Sequence, residues 1–129
     1  MSGSFIPDDV ARFILEKLDS IAQLEGLLLL RSGPEKQWSV QALAARLYID
    51  EKQTAHLLSD LCKQSLAIMI PPDPSLYQYQ PGSTELRNMV DRVAEIYATH
   101  LVPVTALLHS KAKARVQEFA NAFKLRKDE

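Results

Sequence analysis

The sequence predicts a mainly α-helical domain that carries one β-hairpin and continues into a C-terminal helical extension. Three observations predict it. Apolar residues recur at helical spacing over most of the 129 residues, several of the helices open on recognisable capping residues, and strand-like runs appear only within 66–80.

Taken in order, Pro7-Asp8-Asp9 opens the first helix. Proline suits a first helical turn, and the two carboxylates favour the positive end of the helix dipole. Val10, Phe13, Ile14, Leu15 and Leu18 give this helix its apolar face. Ser20 with Gln23 fits a capping box, which starts a second helix over 21–31 with Ile21, Leu24, Leu27, Leu28 and Leu30 inward. Ser32-Gly33-Pro34 ends it, with Gly33 as a left-handed cap and Pro34 as the stop.

Trp38 falls on a brief extended segment packed over the domain. Ser39 caps a third helix, whose buried face is Val40, Leu43, Ala44 and Leu47. Asp50 caps a fourth, with Gln53 as its capping-box partner. Only Tyr48 and Ile49 separate the third helix from that cap. So short a link forces a steep crossing, which is the helix-turn-helix arrangement. Thr54, Leu58, Leu61 and Cys62 face inward on the fourth helix, with Leu57 on the flank of the stripe. Residues 66–72 and 76–80 then pair as a hairpin across Pro72-Asp73-Pro74-Ser75. Pro71 and Pro72 fit only an edge or a strand end.

Pro81-Gly82 breaks the chain, and Ser83 opens a long helical pattern. Leu86, Val90, Val93, Tyr97, Leu101, Val104 and Leu108 form one stripe stepping by three and four residues. Pro103 predicts a kink or short break near His100. After His109-Ser110 a separate last helix is expected over 112–124, with Val116, Phe119, Ala120 and Phe123 as its face. The stripe is longer than a domain of this size needs for its own core. It either packs back on the first two helices or forms a seam with a second copy. The expected division is a first domain over 1–82 (helix-turn-helix 39–64, hairpin 66–80) and C-terminal helices over 83–129 that serve dimerisation.

Composition narrows the function. With 47% apolar and 24% charged residues the chain reads as a globular domain. No run approaches the ~18 apolar residues of a membrane span. Residues 1–7 lack the basic stretch and apolar core of a signal peptide, and the single Cys62 excludes an internal disulfide, so a cytoplasmic location is expected. The net charge of −1 is low for a nucleic-acid binder. It is unevenly spread: 1–109 hold nine Lys and Arg against thirteen Asp and Glu, whereas 110–129 hold six against three. His56, His100 and His109 lack neighbours at metal-ligand spacing, and Cys62 reads as a core or boundary residue. No Gly-rich phosphate loop, paired catalytic carboxylates or nucleophile motif appears. The expectation is therefore no catalytic residue, no metal and no cofactor.

The run Trp38-Ser-Val-Gln-Ala-Leu-Ala-Ala-Arg-Leu-Tyr-Ile-Asp50, then Leu58-Ser-Asp-Leu-Cys-Lys-Gln-Ser-Leu66, then the hairpin, resembles winged helix-turn-helix transcription factors of the MarR and PadR kind. The pattern is a small-residue Leu-Ala helix, a capped turn, and Leu-x-x-Leu-x-x-x-Gly-Leu, and it covers about a third of the chain, residues 38–80. Residues 119–128 are similar to the endings of small bacterial winged-helix proteins. The resemblance implies a cytoplasmic bacterial regulator that binds DNA as a dimer, with the recognition helix 51–64 in the major groove. It also implies that terminal helices dimerise, here the N-terminal helices and 83–108. Lys52, Gln53, His56, Ser59 and Lys63 are the expected DNA-facing positions, and Lys111, Lys113 and Arg115 the supporting phosphate contacts. Two residues depart from the pattern. Ser65 stands where the family has Gly, and no Lys or Arg occurs over 66–81, the expected wing. The uncharged wing and Leu57 raise the alternative of a winged-helix module that docks on a protein and does not bind DNA.

Overall fold

The computed structural model describes residues 6–72 and 74–127, with side chains through 122. Phe5, Asp73 and the side chains of Phe123, Lys124, Arg126 and Lys127 lie outside the described residues. The elements are α1 (Asp8–Lys17), α2 (Ile21–Ser32), α3 (Val40–Leu47), α4 (Glu51–Lys63), β1 (Ala67–Ile70), β2 (Leu76–Tyr79), α5 (Thr84–Thr99) and α6 (Leu101–Lys127).

Side-chain caps set where most of these helices start. Ser20 Oγ accepts from Gln23 N at 3.0 Å, Ser39 Oγ from Ala42 N at 3.0 Å, and Ser83 Oγ from Leu86 N at 3.1 Å. The return half of the expected Ser20 box differs: Gln23 Oε1 accepts from Asp19 N, one residue earlier. The end of α2 differs as well. The helix runs through Ser32, and Gly33 has φ −134° and ψ 77°, outside the left-handed region. Ser32 Oγ donates to the Leu29 carbonyl, and Gly33 O accepts from Lys36 N, so the last turn is closed without a left-handed cap.

A single core joins both expected domains. Leu24, Leu27, Leu30, Leu43, Leu58, Leu61 and Leu66 are fully buried, each contributing about 2 kcal/mol of transfer free energy. Val90, Val93, Val104 and Leu108 belong to the same cluster as Val10 and Ile14. α1 packs on α5 and α6, and those contacts tie the N-terminus to the C-terminal helices. The long stripe is thus largely consumed inside one chain. Leu101, by contrast, is 53% exposed, and Leu15, expected on the buried face of α1, is turned outward while Leu18 is buried.

Leu57 is the clearest correction. It is only 5% exposed. Gly26 of α2 explains why: a Cβ built there would lie 3.0 Å from Leu57 Cδ1 and 3.5 Å from Leu47 Cδ1. The absent side chain lets α2 close over the flank of α4 and cover it.

The hairpin pairs Ala67 with Tyr79 and Ile70 with Leu76, and Trp38 adds a one-residue third strand through reciprocal 2.8 Å bonds with Tyr77. Pro103 is the third residue of α6, in the first turn, where its missing N–H costs no intrahelical bond. The chain breaks at His100, whose carbonyl accepts from Val104 N at 3.2 Å. No second break follows. Neither His109 nor Ser110 interrupts a helix, so the separate last helix expected over 112–124 is the continuation of α6.

Candidate nucleic-acid interface

The turn between α3 and α4 is built from three residues. Tyr48 adopts a left-handed conformation (φ 58°, ψ 41°) and ends α3 by donating its N–H to the Ala44 carbonyl. Ile49 N donates to the same carbonyl. Asp50 then caps α4: its Oδ1 accepts from Gln53 N at 2.6 Å, and its carbonyl accepts from Thr54 Oγ1 at 2.8 Å. The expected Asp50 cap is there, and its direction is fixed by the Thr54 hydroxyl, which is fully buried.

Thr54, Leu57, Leu58 and Leu61 anchor α4 in the core. Lys52, Gln53, His56, Ser59 and Lys63 are all exposed. Lys52, His56, Ser59 and Lys63 step by four, three and four, so they share one helix face, with Gln53 at its border. The structure therefore brings the five expected positions together. On that face His56 Nε2 lies 3.6 Å from Asp60 Oδ2, a pair one helical turn apart.

The exit of α4 is equally defined. Leu66 N donates to the Leu61 carbonyl and Ser65 N to the Cys62 carbonyl, which is a Schellman arrangement. Ser65 takes φ 62°, the left-handed conformation that Gly usually fills. Burial pushes the half-buried Cys62 thiol up, away from the thiolate form. In the hairpin that follows Tyr79 is buried. Burial first, then the Asp91 carboxylate, push its phenol up, and its hydroxyl has no hydrogen-bond partner among the described residues.

The expected phosphate contacts do not act as one set. Lys111 Nζ donates to the Leu15 carbonyl, to the Leu18 carbonyl at 2.7 Å and to Asp19 Oδ1 at 3.1 Å. Arg115 donates to the same Asp19 oxygen at 2.8 Å. Lys111 is spent on the unpaired carbonyls at the end of α1, and its side chain is only 15% exposed. Lys113 is exposed and, among the described residues, in no ion pair. Two cations that the sequence reading passed over, Lys36 and Arg46, converge on the Trp38 ring at 3.9 and 5.8 Å from its centroid. The signal for Lys36 was its place two residues before Trp38 in an extended segment, which puts both on one side.

α5 is held by polar pairs as well as by its core residues. Arg92 bonds Asp9 through both terminal nitrogens (2.5 and 3.1 Å), Arg31 Nε reaches Asp91 at 2.9 Å, and Tyr97 Oη donates to Glu25 at 2.9 Å. Partial burial and that carboxylate push the Tyr97 phenol up to about 12. Among the described residues no helix is long and apolar enough to cross a membrane, and no group of three His, Cys, Asp or Glu is arranged to hold a metal ion.

Two capped helices joined by a three-residue turn, with a hairpin after the second, define a winged helix-turn-helix fold. Comparison with known proteins agrees with that fold. No protein-family model and no curated protein matches the chain. Solved structures do. The DNA complex of MepR from Staphylococcus aureus is similar over 90% of this chain and 90% of its own, at 15% identity and a TM-score of 0.53. The homodimeric winged helix-turn-helix DNA-binding domain of Mb0332 from Mycobacterium bovis is similar over 72% of this chain and 82% of its own, at 18% identity and a TM-score of 0.53. HlyU from Vibrio cholerae covers 70% and 95%, at 21% identity and a TM-score of 0.53.

Proposed function

We propose that this protein is a DNA-binding transcription regulator that acts in the cytoplasm as a dimer, with α4 entering the major groove and the hairpin flanking it. The observation that carries the reading is the uncovered face of α4 behind a rigidly capped turn, with Lys52, Gln53, His56, Ser59 and Lys63 together on it. Gln53 suits an adenine edge, and Lys52 and Lys63 suit guanine or phosphate. Lys113, Lys36 and Arg46 are the cations available for phosphate, since none of them is in an ion pair among the described residues. Lys111 and Arg115 have the structural task described above and are not part of this set.

The shared fold supports the reading, because MepR is a transcription regulator solved with DNA and the Mb0332 domain is a homodimer. The dimer seam proposed here lies on the outward face of α6, where Val102, Val116 and Phe119 are exposed. The test is binding to a mixed-sequence duplex. Affinity should fall steeply as salt rises, as counterion release demands. Absence of binding at ~50 mM salt, where phosphate contacts are strongest, overturns the proposal. One observation favours the protein-docking alternative: no Lys or Arg occurs over 66–81. With Leu57 buried, that alternative rests on the wing alone.

A further inference from the structure

Among the described residues, two other than glycine hold a left-handed backbone, Tyr48 and Ser65. Ser65 is small and meets Gly82. Tyr48 is the opposite case. Its side chain is 93% exposed, the most open of the large apolar and aromatic side chains described. Among the described residues its hydroxyl has no hydrogen-bond partner and its ring no aromatic or cationic neighbour. A left-handed backbone is unfavourable for any L-residue with a Cβ, and Gly or Asn normally takes such a helix end. Either of them would close α3 through the same N–H bond to the Ala44 carbonyl. The fold therefore needs the turn but not the phenol. A bulky residue that strains its backbone and adds nothing to the core is explained by a task outside the fold.

Its place says which task. Tyr48 lies two residues before Asp50, so its Cα is within about 7 Å of that of the residue capping α4. The recess beside that end of α4 is bordered by Asp50, Lys52, Gln53 and His56. When a helix-turn-helix docks in the major groove, the start of the second helix meets base edges and the first helix crosses the backbone. The turn between them then stands at the rim of the groove. This interface is also short of cations. Glu51 and Asp60 offset Lys52 and Lys63 along α4, and no Lys or Arg occurs over 66–81. Holding the backbone then falls in part to uncharged donors, of which a tyrosine hydroxyl is one.

We infer that Tyr48 is a DNA-backbone contact, its phenol donating to a phosphate oxygen at the rim of the groove and so setting the register of α4. The inference rests on the DNA-binding reading above and adds a residue of the turn to the five on α4. A neutral donor displaces no counterion, so this contact adds affinity without adding to the salt slope.

Fluorescence anisotropy with a labelled mixed-sequence duplex over a salt series, with urea unfolding of the same proteins, tests it. Tyr48→Phe removes only the hydroxyl. It should bind roughly 10-fold more weakly for each half-site, at the wild-type salt slope and the wild-type urea midpoint. Tyr48→Asn suits the left-handed turn, and should lose the same affinity while its urea midpoint rises. Stability and affinity moving in opposite directions is a result that a structural role for the ring does not produce. If Tyr48→Phe binds as the wild type does, the inference is overturned while DNA binding stands. It is overturned as well if the midpoint of Tyr48→Asn falls along with its affinity, since Tyr48 then serves the turn itself. A wild type that binds no duplex even at ~50 mM salt removes the DNA reading, and this inference with it.

Discussion

Ser65 shows how one residue closes the recognition helix at a cost. It completes the Schellman arrangement after α4, and its carbonyl accepts from Gly82 N at 2.9 Å, so the strand exit and the start of α5 meet there. A Cβ at Gly82 would come within 3.3 Å of Ser65 Cβ, which explains a small residue on each side. The left-handed backbone at Ser65 costs an L-residue about 1–2 kcal/mol. Glycine removes that cost but loses about 0.5–1 kcal/mol through the extra freedom of the unfolded chain. Ser65→Gly should therefore stabilise the domain by about 0.5 kcal/mol, read as a higher urea midpoint at unchanged slope. An unchanged or lower midpoint would mean that the Ser65 side chain makes up for its backbone conformation.

At the scale of elements, the clasp between α6 and the α1–α2 corner is the contact whose strength depends on pH. Partial burial alone would raise the Asp19 carboxyl, but hydrogen bonds from Arg115 and Lys111 outweigh it and hold the group below the usual carboxylate range. A folded value below the unfolded one, about 3.9, gives stability that is complete above roughly pH 4 to 5 and lost as pH falls through the lowered folded value. Asp19→Asn should accordingly lower the melting temperature at pH 6, and the gap from wild type should close in acid. With Asp19 44% exposed, the effect is that of a surface network, about 0.5–1 kcal/mol. This clasp was invisible in the sequence, where Lys111 and Arg115 read as phosphate contacts and stand 92 and 96 residues from Asp19. The helix starts were legible because a cap is local: Ser20, Ser39, Asp50 and Ser83 each act within three residues. The face of α4 was legible for the same reason, since helical periodicity fixes which side Lys52, His56 and Lys63 share. The burial of Leu57 was not, because it depends on Gly26 bringing α2 close, and no periodicity within α4 records that approach.

For the whole molecule, four of the seven large apolar side chains exposed among the described residues lie on α6: Leu101, Val102, Val116 and Phe119. Its first turns pack on α1 through Val104 and Leu108, yet 112–122 are exposed throughout. A helical segment of that length that buries no side chain, tied to the α1–α2 corner through Arg115 and Asp19, is marginal in water. Val116 and Phe119 are 68% and 74% exposed, and Val102, His109 and Val116 follow one another at seven-residue intervals, a spacing that keeps one side of a helix facing a partner. A second copy covering this side would bury the apolar residues and fix the distance between two α4 helices, which must be near ~34 Å to reach successive major grooves. Phe119→Asp places a charge in that seam without touching the core. Light scattering at micromolar concentration should then report a dimer for the wild type and a monomer for the variant. The melting of the core should change little, since Phe119 is absent from it. Duplex affinity should drop as the two half-site contacts come apart, because the second recognition helix no longer binds as part of the same molecule. A wild-type chain that is already monomeric, or a Phe119→Asp chain that remains a dimer, would remove α6 from the seam and leave α4 to read DNA one half-site at a time.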